Sequence, residues 1–223
     1  MIRLTDVHYR FPGNDKLALY VPKLSISTQQ HTAITGSSGC GKTTLLRLIA
    51  GVLTTHSGTI QTLGENTSAL SPQANGQQRL RSIGMVFQDF ALLDYLSALE
   101  NMILTARLGK FDLSDAKLHA KNLAQRAGIE HVLHRRPDQL SQGERQRVAV
   151  CRALVTKPQL ILCDEPTGNL DPSRSKDMVD LVITEADSIG ATVLTVTHDH
   201  SVLNQFNRTI DLNEIASLRR DAT

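Results

Sequence analysis

With 223 residues, 40% hydrophobic content and a net charge of +2, the chain has the length of one larger domain and the composition of an ordinary soluble globular protein. So small a charge gives no electrostatic case for nucleic acid or a membrane surface as a partner. The longest apolar run, Leu45 to Leu53, is interrupted by Arg47 and is too short to span a bilayer, and the N-terminus lacks the apolar region of a signal peptide.

The first part of the chain reads as β-rich. Ile2 to Phe11, Ala18 to Ser27 and His31 to Thr35 are short, partly alternating runs separated by Pro12-Gly13-Asn14 and Gln29-Gln30. A helix is expected after Gly41, ending at Gly51, with Leu45, Leu46 and Ile49 facing inward. Ser57 to Leu63 and Ser82 to Phe87 read as strands, and the polar stretch Gly64 to Gln78 as a loop or irregular segment. The middle is helical. Ser97-Ala98-Leu99-Glu100 forms a capping box for a helix ending at Gly109, Ser114 caps a second that stops at Gly128, and a third begins at Ser141. Leu160 to Asp164 is a buried-type strand. Asp171-Pro172 opens another helix closed near Gly190, and Ala191 to Thr197 is a last strand. Strands alternating with helices imply an α/β fold with a mainly parallel sheet.

The three cysteines, Cys40, Cys151 and Cys163, have no metal-ligand spacing. Cys151 and Cys163 read as small buried hydrophobes, and the set fits a reducing cytosol. His131 and His134 have a spacing that suits a metal, but with no further ligand nearby they read as a solvated helix end. Arg135-Arg136 and Arg219-Arg220 read as surface charge.

Gly36-Ser37-Ser38-Gly39-Cys40-Gly41-Lys42-Thr43 fits G-x-x-x-x-G-K-[ST] without a gap, between an expected strand and an expected helix. Glycines let the backbone curl so that its N–H groups form an anion cradle, and the helix N-terminus adds its positive dipole end. Lys42 would reach the β- and γ-phosphates, and the Thr43 hydroxyl would ligate Mg²⁺. A chance glycine-rich turn does not explain the flanking strand and helix. Leu160 to Cys163 then leads into Asp164-Glu165, placing two carboxylates at the sheet edge where doubly wound folds bind ligands. Asp164 would hold Mg²⁺ through water, and Glu165 would orient and deprotonate the attacking water. Between these motifs lies Leu140-Ser141-Gln142-Gly143-Glu144-Arg145-Gln146-Arg147. Ser141 and Glu144 make a capping box, which accounts for those two residues but not for Gly143.

Taken together, these segments resemble the nucleotide-binding subunit of ABC transporters over about Phe11 to His198. The resemblance rests on the phosphate loop (Walker A), Gln88 (Q-loop), Leu140 to Glu144 (signature), Leu160 to Glu165 (Walker B), Gly168-Asn169-Leu170-Asp171 (D-loop) and His198 (switch histidine). It implies a P-loop NTPase, RecA-like core with an antiparallel β subdomain and an inserted helical subdomain. The chain would be one ABC ATPase domain, with about 1–88 and 158–223 forming the β subdomain and core and about 89–157 the helical subdomain.

The resemblance further implies ATP and Mg²⁺ as ligands. ATP would be held by Phe11 stacked on adenine (Tyr9 as fallback), by Gly36 to Thr44 (Gly36, Ser37, Ser38, Gly39, Cys40, Gly41, Lys42, Thr43, Thr44) and by Asp171. Ser141 and Gly143 would reach the ATP of a second copy in a head-to-tail sandwich. Lys42, Gln88, Glu165 and His198 would be the catalytic residues, and Thr43, Gln88 and Asp164 the metal ligands. Gln142 stands where many members have Gly, and Glu144 replaces the common Gln.

Glu165-Pro166-Thr167-Gly168-Asn169-Leu170-Asp171 and Ala98-Leu99-Glu100-Asn101 resemble the bacterial branch of lipoprotein-release, macrolide-export and cell-division ATPases. That branch implies a peripheral subunit on the cytoplasmic face of the inner membrane, driving a separate permease. Its contact would be the apolar cluster Phe90, Leu92, Leu93, Tyr95 and Leu96, which core packing would explain equally well. No nucleic-acid partner is expected. A non-transport regulator of the cell-division type is the alternative. No Asn-Lys-x-Asp guanine motif is present, and no coiled-coil insert of the DNA-repair members.

Overall fold

The structure is a computed structural model describing residues 1–13, 17–168 and 172–216. Asn14, Asn169 to Asp171 and Arg219-Arg220 lie outside the described residues.

The first sheet is antiparallel. β1 (Ile2–Arg10) pairs with β2 (Leu17–Ile26) on one side and β4 (Ser57–Thr62) on the other, and β4 continues to the short β5 (Glu65–Asn66). Ile2, Leu4, Val7 and Tyr9 of β1 face the core. The alternation slips by one between Leu4 and Val7 because Asp6 takes a left-handed φ of 50° and breaks the β1–β4 register.

The second sheet is parallel throughout, in the order β6 (Ile83–Val86), β7 (Leu160–Asp164), β8 (Thr192–Val196), β3 (Thr32–Thr35), β9 (Arg208–Asp211). Parallel pairing brings all C-terminal strand ends to one edge. The residues just beyond β3, β6, β7 and β8 therefore meet there: the phosphate loop, Gln88, Glu165 and His198. Their adjacency is a consequence of strand order, not of sequence spacing.

Period-2 alternation splits this sheet between two cores. Ile161, Cys163 and Val193 face one cluster, and Leu160, Leu162, Leu194 and Val196 face the other. Helix α1 (Lys42–Ile49) buries Leu45, Leu46, Leu48 and Ile49 in the second cluster, together with the inner face of the antiparallel sheet. A layer of helices covers the first face. It includes α3 (Ala98–Met102), α4 (Leu104–Leu108), α5 (Leu113–Arg126), α6 (Gln142–Leu154) and α7 (Pro172–Ser188).

Three expectations need correction. The polar stretch Gly64 to Gln78, expected as a loop or irregular segment, contains β5 and the start of α2 (Pro72–Ser82), whose cap Ser71 accepts from the Ala74 amide and whose Pro72 stands at a first-turn position. Its composition hid it, because α2 has almost no apolar stripe. It is instead anchored by Asn75, which donates to the Thr67 carbonyl, and Arg79, which donates to the Ala50 and Gly51 carbonyls at 3.2 and 2.8 Å. Second, the helix from Ser97 to Gly109 is two helices broken at Ile103. Third, α5 is capped by Asp112, whose carboxylate accepts from the Ser114 and Asp115 amides, and not by Ser114. The C-terminal 3-10 turn His200–Gln205, β9 and α8 (Leu212–Ile215) had no sequence signal strong enough to place them.

Candidate functional site

The phosphate loop owes its shape to three glycines with positive φ, Gly36 at 148°, Gly39 at 78° and Gly41 at 100°. Space is limiting as well. A Cβ on Gly36 would sit 2.7 Å from the Cys40 sulfur, and one on Gly41 2.9 Å from Leu19 Cδ1. Cys40 is thus packed beneath the loop, and only its backbone is available to a ligand. The Ser37 hydroxyl donates to Asn213 of α8, which ties the loop to a C-terminal element. Lys42 directs its amine back along the loop, donating to the carbonyls of Gly36 at 2.9 Å and Ser37 at 3.1 Å.

At the end of β7, the Thr43 hydroxyl donates to Asp164 Oδ1 at 2.9 Å. Burial raises the Asp164 carboxyl above its ordinary range, opposed by that hydrogen bond. The next residue, Glu165, has a left-handed φ of 50°. Its amide donates to the Val196 carbonyl, and its carboxylate Oε2 accepts from the His198 amide at 3.2 Å and lies 2.7 Å from His198 Nδ1. Sequence reasoning gave Glu165 and His198 separate tasks; the structure joins them directly. Most of the His198 side chain remains solvent-accessible.

Lys42, Thr43, Glu165 and His198 face one cleft of about 720 Å³, whose lining does not include Gly36, Ser37, Cys40 or Asp164. Of the residues expected to bind or act on nucleotide, Phe11, Ser38, Gly39, Gly41, Lys42, Thr43, Thr44, Gln88, Glu165 and His198 line it. Phe11 stands at its rim, half exposed, edge-on to the buried Tyr9 ring at 5.1 Å. An exposed ring beside a phosphate cradle is available for stacking, whereas Tyr9 is committed to the core. Ala18, at the start of β2, also lines the cleft and was not anticipated.

Ser141 and Gly143 are not among the lining residues. Ser141 caps α6 in a reciprocal box: its hydroxyl accepts from the Glu144 amide, while Glu144 Oε2 accepts from the Ser141 amide and hydroxyl, both at 2.7 Å. His131 was read as a solvated histidine, yet its Nε2 lies 3.2 Å from Glu144 Oε1, so it bears on the same carboxylate. The serine contacts lead in lowering the Glu144 carboxyl from its ordinary value, with His131 adding to them. Gly143 shows neither of the usual reasons for glycine: a Cβ there would meet nothing within 4 Å, and its φ is not positive. Glycine costs up to about 1 kcal/mol relative to alanine in a helix interior, and less in a first turn such as this one. No contact among the described residues calls for a glycine here.

Comparison with known proteins agrees with this geometry. Residues 20–168 match the ABC transporter family model. The chain belongs to the ABC transporter ATP-binding family. Its curated relatives include the lipoprotein-releasing system ATP-binding protein LolD of Pseudomonas fluorescens, 41% identical over 86% of this chain and 85% of the relative. The LolD protein of Hydrogenovibrio crunogenus is 40% identical over 85% of this chain and 82% of the relative. Among solved structures, a dimeric ATP-binding cassette in a post-hydrolysis state bound to ADP and Pi has a TM-score of 0.87 and 31% identity, covering 95% of this chain and 94% of that one. A dimeric bacterial ABC transporter cassette has a TM-score of 0.88 and 30% identity, covering 99% of this chain and all of that one. The ABC ATPase fold is therefore a RecA-like P-loop core with an antiparallel β subdomain and helical insertions, and the chain is an ATP-binding and ATP-hydrolysing ABC subunit.

Proposed function

We propose that this ABC subunit powers a membrane permease of the lipoprotein-release type by ATP-driven closure of two copies, head to tail. Gly143 carries the dimer half of this reading: a first-turn glycine that its own chain does not require, at an exposed helix N-terminus away from the chain's own cleft. A helix N-terminus favours anions, and an absent side chain leaves room for a phosphate of the partner's ATP. The relatives named above carry the branch, and none is a cell-division regulator, so that alternative is set aside. The share of each relative covered supports a subunit of similar extent.

In each cleft, Phe11 stacks on adenine and the loop amides hold the phosphates. Lys42 moves its amine from the Gly36 and Ser37 carbonyls to the β- and γ-phosphates. The Thr43 hydroxyl, the Asp164 carboxylate and the Gln88 amide are hard oxygen donors of the kind that suits Mg²⁺. Magnesium, when bound with ATP, neutralises charge on the β- and γ-phosphate oxygens. Glu165 takes a proton from the attacking water. His198 Nδ1 orients that carboxylate, and the exposed remainder of its ring reaches the γ-phosphate. From the partner copy, the Ser141 hydroxyl would turn from Glu144 to the same phosphate.

The subunit would sit peripherally on the cytoplasmic face of the membrane; among the described residues no helix is long and apolar enough to cross one. Phe90, Leu92, Leu93 and Leu96 are half-buried and Leu92 packs on the core, so only Tyr95, 71% exposed, projects fully from the expected permease cluster. The described residues also form an apolar groove of about 460 Å³, with Leu80, Ile83, Met85 and Phe87 in its walls. The exposed Tyr95 and this groove are the two apolar features that would receive a permease segment.

Glu165→Gln tests the reading. Turnover should fall about 10²- to 10⁴-fold while ATP binding persists. The variant should elute as a dimer only with ATP, and in membranes it should retain its permease under crosslinking. Phosphate release at the parent rate would remove Glu165 from the role of base. Recovery of a partner other than a permease would overturn the branch.

A further inference from the structure

Gln88 owes its place in the cleft to a turn, and that turn is held from an unexpected direction. The Phe90 amide donates to the Phe87 carbonyl at 3.0 Å, so Gln88 and Asp89 are the two central residues of a tight turn leaving β6. The next stretch is strained. Phe90 and Ala91 take left-handed φ values of 62° and 44°, and two consecutive residues with side chains seldom do so without an external hold.

Arg152, in the last turn of α6, supplies that hold. Its guanidinium donates to the Phe90 and Ala91 carbonyls, each at 2.6 Å. The residue is only 5% exposed, and the nearby Asp89 carboxylate helps keep it charged against the burial that lowers its pKa. Two N–H groups in fixed planar geometry on two successive carbonyls are an arrangement lysine cannot copy. The helix that carries this grip begins at the Ser141 cap, roughly 16 Å from Arg152 at about 1.5 Å rise per residue. Asn101, fully buried, holds the following stretch by donating to the carbonyls of Leu93, Leu96 and Ser97. Arg152 and Asn101 thus hold the chain at the carbonyls of Phe90, Ala91, Leu93, Leu96 and Ser97.

We propose that Arg152 is a positioning residue of the ATPase site, setting Gln88 in the cleft by holding Phe90 and Ala91 left-handed. One helix then presents the signature serine to the partner copy at its start and fixes the cleft glutamine of its own copy at its end. A displacement of α6 moves both. The inference rests on Gln88 acting on the bound ATP.

A double-mutant cycle on the full chain tests it. Arg152→Lys keeps the charge and loses the fork; kcat should fall at least tenfold while affinity for a fluorescent ATP analogue stays within about threefold. Added to Gln88→Ala, Arg152→Lys should slow the enzyme no further, because the group it positions is gone. Arg152→Gln, which removes the buried charge and keeps one amide donor, serves as the second variant where Arg152→Lys does not fold. A variant with lowered thermal midpoint and parental kcat would show a purely structural arginine and overturn the proposal. So would effects that multiply across the cycle. If Gln88→Ala alone leaves kcat unchanged, Gln88 has no part in turnover and the inference falls, while the Glu165→Gln result above still decides the ATPase reading separately.

Discussion

At the scale of single residues, stability and function are set against each other in at least two places. Asp164 is a carboxylate held in a buried position whose folded-state pKa is raised. Such a group favours folding on the acid side, and its contribution is lost as pH rises from the ordinary Asp range through the raised value. Asp164→Asn should therefore raise the thermal midpoint of the metal-free protein at neutral pH. It should also flatten the pH dependence of unfolding and abolish Mg²⁺-dependent turnover. Calorimetry and a phosphate-release assay read the two halves. Gly143 gives the second case. A Cβ on Gly143 would meet nothing within 4 Å among the described residues, and alanine has the higher helix propensity, so Gly143→Ala should leave the monomer at least as stable, the gain being less than about 1 kcal/mol. The same methyl group would intrude on a phosphate from the partner, so ATP-driven dimerisation in a Glu165→Gln background should weaken. An unchanged dimer yield would return Gly143 to the status of a neutral surface glycine.

Elements show which local signals were sufficient. The capping boxes at Ser97 and Ser141 were visible in sequence, and both are present with all reciprocal hydrogen bonds. The α5 cap was misread by two residues, because Asp112 and Ser114 are both competent cap types and only the chain's path decides between them. Asp112→Ala should cost about 1 kcal/mol in chemical denaturation, and Ser114→Ala a few tenths. Equal costs would mean that the cap hydrogen bonds contribute little. Helix α2 was missed for a different reason. Its apolar moment is weak, and its attachment is polar and long-range, through Arg79 onto the C-terminal carbonyls of α1. No pattern within the segment reports a partner some thirty residues earlier.

Over the whole molecule, the parallel sheet and its helical layer meet at one very close contact. A Cβ on Gly84 of β6 would lie 2.2 Å from the Ala153 carbonyl oxygen of α6, which is backbone and cannot swing aside. Gly84→Ala should destabilise the protein by roughly 1–3 kcal/mol or more. Because β6 leads to Gln88 and α6 carries both Ser141 and Arg152, it should also lower kcat. A variant that is destabilised yet fully active would show that this contact matters to packing alone. Burial pushes the Cys151 and Cys163 thiols up to about 12, in keeping with their place in the cores. Thiol reagents should therefore leave the folded protein's activity untouched at these two positions.

The chain by itself determined the chemistry it carries. The phosphate loop, the acidic strand end and the capped signature are contiguous, and each states its geometry through local rules: glycine φ, a buried strand's end, a reciprocal cap. These were enough to give an α/β nucleotide-binding fold and most of the residues that line the cleft. Tertiary structure decided what no contiguous segment contains. Strand order β6-β7-β8-β3 gathered Gln88, Glu165, His198 and the loop at one edge. It joined Glu165 to His198, chose Phe11 over Tyr9 for the cleft rim, and clamped the Gln88 turn with a guanidinium some sixty residues later. Hydrogen bonds and packing across the sheet depend on which strands become neighbours, and sequence distance leaves that undetermined.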